Sequence, residues 1–140
     1  IFNDKNEILL QKRSEAKYHS GGLWTNTCCS HPRKNEKNID AARRRLVEEM
    51  GMVCDLEKVF NFTYKAHLDK GLTEHEYDHV FFGFTNQKPT INKEEVSDFK
   101  YISIDNLEKA VLLEPEKFTE WFLICLPKVI KIIRKIINNR

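Results

Sequence analysis

The sequence predicts an α+β domain in which helices cover both faces of one mixed sheet, an α/β/α sandwich. The predicted elements follow the order strands, helix, strands, helix, and no repeat, low-complexity tract or linker divides the 140 residues. Hydrophobic residues make up 41% of the chain, which is enough for one core. We therefore expect residues 1–140 to form a single domain.

The N-terminal segment predicts short strands separated by turns. Residues 1–10 are expected to form two strands around a turn at residues 3–6, and polar residues 13–22 a loop. Residues 23–29 predict a strand that ends before Pro32, because proline does not continue regular structure. On strand alternation, the neighbours Cys28 and Cys29 would point to opposite faces.

The clearest predicted element is a helix over residues 39–50. Asn38 is expected to cap its start and Gly51 to close its end. Its apolar residues fall on one stripe at helical spacing: Ile39, Ala42, Leu46, Val47 and Met50. The predicted outer face carries charged residues: Arg44, Arg45, Glu48 and Glu49.

The second half of the chain predicts three more strands and a terminal helix. Residues 59–64 and 76–84 are strand-like and flank a loop at 69–71, and residues 99–104 predict a further short strand. From Thr119 onward the pattern is helical, with a break or kink expected near Pro127. We expect the basic, amphipathic end of this helix to pack on the sheet rather than bind a membrane surface.

Composition excludes several classes of function. The 23 basic and 21 acidic residues leave a net charge of +2, so no global field favours nucleic acid and anion binding must be local. No apolar run approaches the roughly 18 residues of a membrane span. The four cysteines lack the spacing of zinc sites or of a disulfide framework, and we expect a cytoplasmic protein.

Charged residues before and along the predicted helix form the first candidate site. Arg45 and Glu49 are four residues apart and share a helical face, where a carboxylate suits Mg²⁺ and arginine suits phosphate oxygens. On spacing alone, a solvated face with ordinary Arg–Glu pairs is the commoner meaning. The residues concerned are Ser30, Glu36 and the run from Arg44 to Met52.

This spacing resembles the Nudix box, which implies a Nudix-like fold. It departs from the box at Ser30, where the box has glycine, and at Arg45, where it has glutamate. Loss of that glutamate weakens the metal cluster with which Nudix hydrolases activate water. The resemblance therefore implies a Nudix fold adapted to other chemistry.

A second set of motifs resembles type I isopentenyl-diphosphate isomerases and spans nearly the whole chain in the family's order. The matching segments are Trp24-Thr25-Asn26-Thr27-Cys28-Cys29-Ser30-His31-Pro32, then Tyr64, Glu74-His75-Glu76, Glu95-Val96-Ser97-Asp98 and Phe118-Thr119-Glu120-Trp121. The resemblance implies an enzyme that interconverts isopentenyl and dimethylallyl diphosphate through a tertiary carbocation, in isoprenoid biosynthesis.

The same resemblance implies the roles of individual residues. The catalytic residues would be Cys29, Glu76 and Tyr64. The metal ligands would be His31, Glu74 and Glu76 for Mn²⁺ or Zn²⁺, and Glu49 for the Mg²⁺ that accompanies the diphosphate. The substrate-binding residues would be Arg13, Lys17 and Arg45 at the diphosphate and Trp121 at the cation.

The chemistry of these residue types agrees with the implied roles. The reaction adds one proton to an alkene and removes another from the adjacent carbon, so two acid–base groups must flank the substrate. Cys29 and Glu76 suit that pair, although the sequence leaves open which one donates. A carbocation requires a dry site, and an indole face stabilises it by about 2 kcal/mol when desolvated.

Each assignment also has a structural alternative. Cys28 is expected to be a small buried hydrophobe, and alternating glutamates such as Glu74 and Glu76 are common on edge strands without any function. Trp121 is a residue type usually found in cores. Five further polar residues are expected to be structural or at the surface: His19, His67, His75, Asp78 and His79.

The family also has two metal-ligating histidines and a substrate-binding lysine without counterparts in this sequence. Because the sequence starts at Ile1 rather than methionine, we expect the natural chain to extend upstream. Two other functions stay open: a Nudix diphosphate hydrolase, or a non-catalytic homologue that binds prenyl diphosphates. The expected partner is a small prenyl diphosphate, without nucleic acid or a membrane span, and we expect a monomer.

Overall fold

The computed structural model describes residues 1–140 and contains five strands and three helices. These elements are β1 (Glu7–Arg13), β2 (Trp24–Thr25), α1 (Asn38–Met50), β3 (Glu57–His67), β4 (Thr73–Phe82), β5 (Val96–Ser103), α2 (Ile104–Leu113) and α3 (Glu120–Asn138). Single 3₁₀ turns occupy Asp69–Gly71 and Pro115–Lys117. None of the helices is long and apolar enough to cross a membrane.

The strands form two antiparallel groups that meet at Phe2. Strand β1 lies between β2 and β5, and β3 pairs with β4 in a long hairpin. Phe2 pairs antiparallel with Ile8 and parallel with Phe84, just beyond β4, so the strands are connected by pairings of both directions. This arrangement confirms the predicted α+β class with mixed strand pairing.

Alternation along β1 distributes its side chains between two cores. Ile8 and Leu10 belong to the larger core, which α2 and α3 cover, whereas Leu9 belongs to a smaller core. In the smaller core Leu9 joins Leu46 and Met50 of α1. Helices therefore cover both faces of the sheet, which confirms the predicted sandwich.

Helix α1 has the predicted position but differs from the prediction at its start and on its faces. Asn38 is its first residue and makes no capping hydrogen bond, because Lys37 occupies the cap position. Gly51 closes the helix as predicted, in the left-handed conformation with φ of 61°. Val47 is 49% exposed and Glu49 only 1% exposed, so the predicted stripe and outer face were wrong at these two positions.

The strand predicted for residues 23–29 is limited to Trp24–Thr25. Beyond it, the Thr27 hydroxyl donates to the carbonyl of Leu9 (2.6 Å), and the Gln11 amide donates to the carbonyl of Thr27 (2.7 Å). Because side chains take over these hydrogen bonds, the segment leaves the strand. Cys28 and Cys29 therefore lie in an irregular segment, not on a strand.

The C-terminal region differs from its prediction in two ways. Helix α2 was not predicted, although Ser103 caps it by accepting a hydrogen bond from the N–H of Asn106 (3.2 Å). Helix α3 continues through Pro127 without a break. Leu126 and Val129 on either side are buried in the core, and we attribute the continuity to this packing, which offsets the roughly 3 kcal/mol that an interior proline costs.

Candidate active site

A polar cavity of about 180 Å³ brings together every predicted site residue except Glu49. It lies between the end of β1, the loops around β2, the β3–β4 hairpin, α1 and the start of α3. Its lining residues are Arg13, Lys17, His19, Cys29, Ser30, His31, Arg45, Tyr64, Glu74, Glu76 and Trp121. Residues far apart in sequence therefore form one site.

The β3–β4 hairpin supplies the acidic side of this cavity. Tyr64 on β3 pairs in register with Glu76 on β4, so both side chains point to the same face. The Tyr64 hydroxyl contacts Glu74 and lies 3.4 Å from Glu76 Oε2. His31 Nε2 is 3.4 Å from Glu76 Oε1. The phenol thus joins the two carboxylates that the family resemblance places at a metal site.

Burial and the adjacent carboxylates raise the pKa values of both Tyr64 and Cys29. Burial, the hydrogen bond to Glu74 and the carboxylate charges raise the pKa of Tyr64 well above its usual value. Burial likewise raises the pKa of the Cys29 thiol, and the charges of Asp78 and Glu76 raise it further. Both groups therefore favour their protonated forms more strongly than they would in water.

Cys28 has a role that its prediction as an inert hydrophobe missed. Its thiol donates to Glu49 Oε2 at 2.8 Å, whereas Cys29 lines the cavity. Burial, followed by the charge of Glu49, raises the pKa of Cys28 and keeps it a donor. The two neighbouring thiols therefore differ in their contacts, which hydrogen bonding rather than strand alternation determines.

A cluster of charged residues forms the opposite side of the site. Glu49 Oε1 lies 3.4 Å from Lys17 Nζ and 3.3 Å from Arg45 Nη2. Glu95 accepts from the same two cations, at 2.8 Å from Arg45 to each oxygen and 3.3 Å from Lys17. Although burial opposes it, these contacts hold the pKa of Glu95 below its usual value. Lys17 and Arg45 are therefore fixed between two carboxylates.

Arg13 and Trp121 contact each other at the edge of the cationic cluster. The Arg13 guanidinium lies 5.2 Å from the Trp121 ring centroid, and the indole N–H donates to Asn26 Oδ1 at 3.1 Å. The Nε atoms of Arg13 and Arg45 are buried without a hydrogen-bond partner. Buried donors usually have partners, so these two suit an anionic ligand.

A larger, mainly apolar cavity of about 390 Å³ adjoins the polar one. Cys29, Glu76 and Trp121 line both cavities. Its apolar lining includes Phe62, Val80, Phe122, Cys125 and Val129. Cys29, Glu76 and Trp121 therefore lie at the boundary between a polar region and an apolar one.

The structure places at the site three residues that were given no role there on sequence alone. Asp78 lines the larger cavity on the same face of β4 as Glu74 and Glu76, and the period-two spacing contained that signal. Burial and the neighbouring Glu76 raise the pKa of Asp78 to about 7. Glu95 lies in a family motif without an assigned role, and His19 lines the polar cavity.

The predicted metal ligands fit a divalent ion in their chemistry, and all three line the polar cavity. Imidazole and carboxylate donors such as those of His31, Glu74 and Glu76 suit Mn²⁺ or Zn²⁺. In the structure Glu74 contacts His19 and Tyr64, while Glu76 contacts His31. No three His, Cys, Asp or Glu side chains converge into a coordination shell. Binding would require the three side chains to move together, and a carboxylate can bind an ion through one oxygen while the other oxygen keeps its protein partner.

Comparison with known proteins first defines the class. Residues 1–122 match the NUDIX domain family. A MutT protein from Methanosarcina mazei Go1 has a TM-score of 0.73 at 19% identity, covering 91% of this chain and 85% of that one. A MutT NUDIX hydrolase from Burkholderia pseudomallei has a TM-score of 0.69 at 19% identity, covering 88% of each chain. These two structures establish the fold.

More similar relatives define the family within that class. A Pectobacterium atrosepticum protein named isopentenyl-diphosphate Delta-isomerase is 51% identical, over 92% of this chain and 72% of its own length. Isopentenyl-diphosphate Delta-isomerase 2 of Aromatoleum aromaticum is 49% identical, over 93% of this chain and 69% of its own length. The chain belongs to the isopentenyl-diphosphate Delta-isomerase family of Nudix proteins.

Proposed function

We propose that this chain interconverts isopentenyl and dimethylallyl diphosphate, in isoprenoid biosynthesis. One observation carries the proposal: the Cys29 thiol and the Tyr64–Glu76 pair border one site, between a cationic cluster and an apolar cavity. A diphosphate with a short branched hydrocarbon has these two halves. The similarity to relatives named isopentenyl-diphosphate Delta-isomerase supports the same substrate.

The proton balance of the reaction requires two groups. A proton adds to the terminal CH₂ of isopentenyl diphosphate, which leaves a tertiary cation at the branched carbon. Loss of a proton from the carbon on the diphosphate side of that cation forms the new double bond. One proton enters and one leaves, so substrate and product are isomers and the diphosphate stays intact.

Cys29 and Glu76 are the proposed proton-transferring pair. When Glu76 begins as a carboxylate, the thiol of Cys29 donates its proton to the alkene and Glu76 accepts the proton that leaves. Tyr64, which contacts both Glu74 and Glu76, orients that carboxylate through its hydroxyl. The reverse reaction follows the same path with donor and acceptor exchanged.

The cationic cluster is the proposed diphosphate site. Arg13 and Arg45 each have an unpartnered buried N–H, and Lys17 lies beside Arg45 against the same carboxylates. A divalent cation would neutralise diphosphate charge when bound, and we propose Mg²⁺ at Glu49 with Mn²⁺ or Zn²⁺ at His31, Glu74 and Glu76. Because Lys17 and Arg45 lie side by side, they would orient the phosphate oxygens while the hydrocarbon enters the apolar cavity.

Water must be kept from the cation, because it would trap the intermediate as an alcohol. The apolar cavity supplies that exclusion through Phe62, Val80 and Phe122. Trp121 is 4% exposed and lines both cavities, which supports the proposal that its ring stabilises the positive charge of the intermediate.

Proton and phosphorus NMR of isopentenyl diphosphate in D₂O tests the proposal directly. With this protein and Mg²⁺, plus Mn²⁺ or Zn²⁺ in parallel samples, we expect dimethylallyl signals, deuterium in the product and an unchanged diphosphate. Release of inorganic phosphate or diphosphate would instead establish a hydrolase. Binding of the substrate without turnover in a chain that carries its full natural N-terminus would indicate a non-catalytic homologue.

A further inference from the structure

His19 contacts the acidic side of the site although no motif assigns it a role. Its Nε2 atom lies 3.0 Å from Glu74 Oε1, and its Nδ1 atom lies 3.1 Å from the hydroxyl of Ser20. Its ring packs edge-to-face on Trp121, with the ring centroids 5.9 Å apart. One imidazole thus contacts both a predicted metal ligand and a predicted substrate-binding residue.

The loop that carries His19 is held at both sides. The N–H of Ser20 donates to Asp69 Oδ1 at 3.0 Å, which connects the loop to the turn of the β3–β4 hairpin. The Arg13 guanidinium donates to the backbone carbonyl of His19 at 3.1 Å. Ser20 is only 4% exposed and has a positive φ of 55°, a conformation uncommon for a residue with a side chain. The surrounding structure therefore determines the position of His19.

We propose that His19 is a positioning residue that sets the orientation of the Glu74 carboxylate. Glu74 has His19 on Oε1 and Tyr64 on Oε2, so contacts on both oxygens fix the plane of the carboxylate. The line of contacts continues from Tyr64 to Glu76 and from Glu76 to His31. His19 forms one end of this line and His31 the other.

The proposal rests on the function proposed above, in which Glu74 takes part in binding a divalent ion. Carboxylates that ligate metals are themselves hydrogen-bonded, and loss of such a partner usually lowers metal affinity by about 10- to 100-fold. The partners of His19 assign its tautomer: Nε2–H donates to Glu74, and Nδ1 accepts from the Ser20 hydroxyl. In this arrangement His19 acts on the ion through Glu74.

Mn²⁺ binding, followed by the electron paramagnetic resonance signal of the free ion, tests this role without requiring turnover. We expect His19→Ala to bind Mn²⁺ about tenfold more weakly or worse, and His19→Gln, which restores a donor, to stay within about threefold of the unchanged chain. His67 is the matched control, because it contacts Thr73 at the exposed end of the same hairpin. His67→Ala should bind Mn²⁺ as the unchanged chain does.

Two results would overturn the proposal. The first is Mn²⁺ affinity that His19→Ala leaves unaltered, or no Mn²⁺ binding by the unchanged chain. The second is equal loss in His19→Ala and His19→Gln together with a lower Tm in both, which would indicate that His19 only supports the loop. Failure of the proposed function has a different outcome: the unchanged chain would bind Mn²⁺ and respond to His19→Ala, yet form no dimethylallyl diphosphate.

Discussion

Both sides of the site contain carboxylates, under opposite electrostatic conditions. The acidic side, formed by Tyr64, Glu74, Glu76 and Asp78, places oxygens against oxygens, and burial together with these charges raises the pKa of Tyr64 and of Asp78. The cationic side, formed by Lys17, Arg45, Glu49 and Glu95, surrounds its carboxylates with positive charge and lowers the pKa of Glu95. Burial and neighbouring charges therefore shift the pKa values of carboxyl groups in opposite directions on the two sides, upward at Asp78 and downward at Glu95.

The two sides would serve different parts of the proposed reaction, which are proton transfer and diphosphate binding. Proton transfer requires groups that can hold and release a proton, and the acidic side borders the apolar cavity where the alkene would lie. Binding of a diphosphate requires fixed positive charge, and Lys17 and Arg45 are fixed by two carboxylates. The comparison predicts that substitutions on the acidic side alter kcat and those on the cationic side alter KM.

The largest expected effect is at the acid–base pair. Glu76→Gln and Cys29→Ala each remove one proton-transferring group, so kcat for dimethylallyl diphosphate formation should fall by roughly 10²- to 10⁴-fold, with little change in KM. Steady-state kinetics checks this, with Cys54→Ala as the control because Cys54 lies beside the smaller core and lines neither cavity. Turnover retained in either variant would contradict the role assigned to that residue.

A smaller effect is expected at Arg45. Replacement by glutamine removes a charged donor, and a hydrogen bond to a charged group is worth ~1.5–3 kcal/mol, so affinity for inorganic diphosphate should fall by roughly tenfold or more. Isothermal titration calorimetry with Mg²⁺-diphosphate measures this, and Arg45→Lys should recover part of the loss.

Arg134→Gln is the control for the loss of an arginine, because Arg134 pairs with Glu108 and Asp105 at the surface. It should leave diphosphate affinity unchanged. An Arg45→Gln variant with normal KM but a much reduced kcat would place Arg45 in the chemical step. It would contradict the prediction that the cationic side affects KM and the acidic side kcat.

The smallest expected effect is the pH dependence of stability at Glu95. Arg45 and Lys17 lower its pKa in the folded chain below the usual 4.5, so its ionised form stabilises the fold above that value. Glu95→Gln should reduce the free energy of unfolding at pH 7 by about 1 kcal/mol, since the pair is partly exposed. The difference should shrink as the pH falls below 4.5 toward the folded pKa.

Urea unfolding of both chains between pH 7 and pH 3 provides the measurement. Glu114→Gln is the control, because Glu114 forms an exposed pair with Lys117. A difference at Glu95 that grows on acidification would mean that its carboxylate is not the stabilising form.

Much of the site could be predicted from local spacing. Glu74 and Glu76 share a strand face because side chains alternate, and Arg45 meets Glu49 at 3.3 Å because residues four apart are neighbours on a helix. The class of fold followed from the order of elements. Motif resemblance selected the residues that border the polar cavity, and the structure brings them together.

Other features could not be read from local patterns. Glu49 belongs to a charged run that predicts solvent exposure, yet Lys17, Arg45 and Cys28 surround it and it is buried. His19 has no neighbour in sequence that indicates a function, because Glu74 lies on a distant strand.

The sequence by itself determined which residue types are available, which of them share a strand or helix face, and which family motifs they form. The tertiary structure decided which charges meet and which groups lose their water. Those two factors set the proton affinities of Cys29, Tyr64 and Asp78. They depend on loops and strands distant in sequence, since desolvation and charge act through space rather than along the chain.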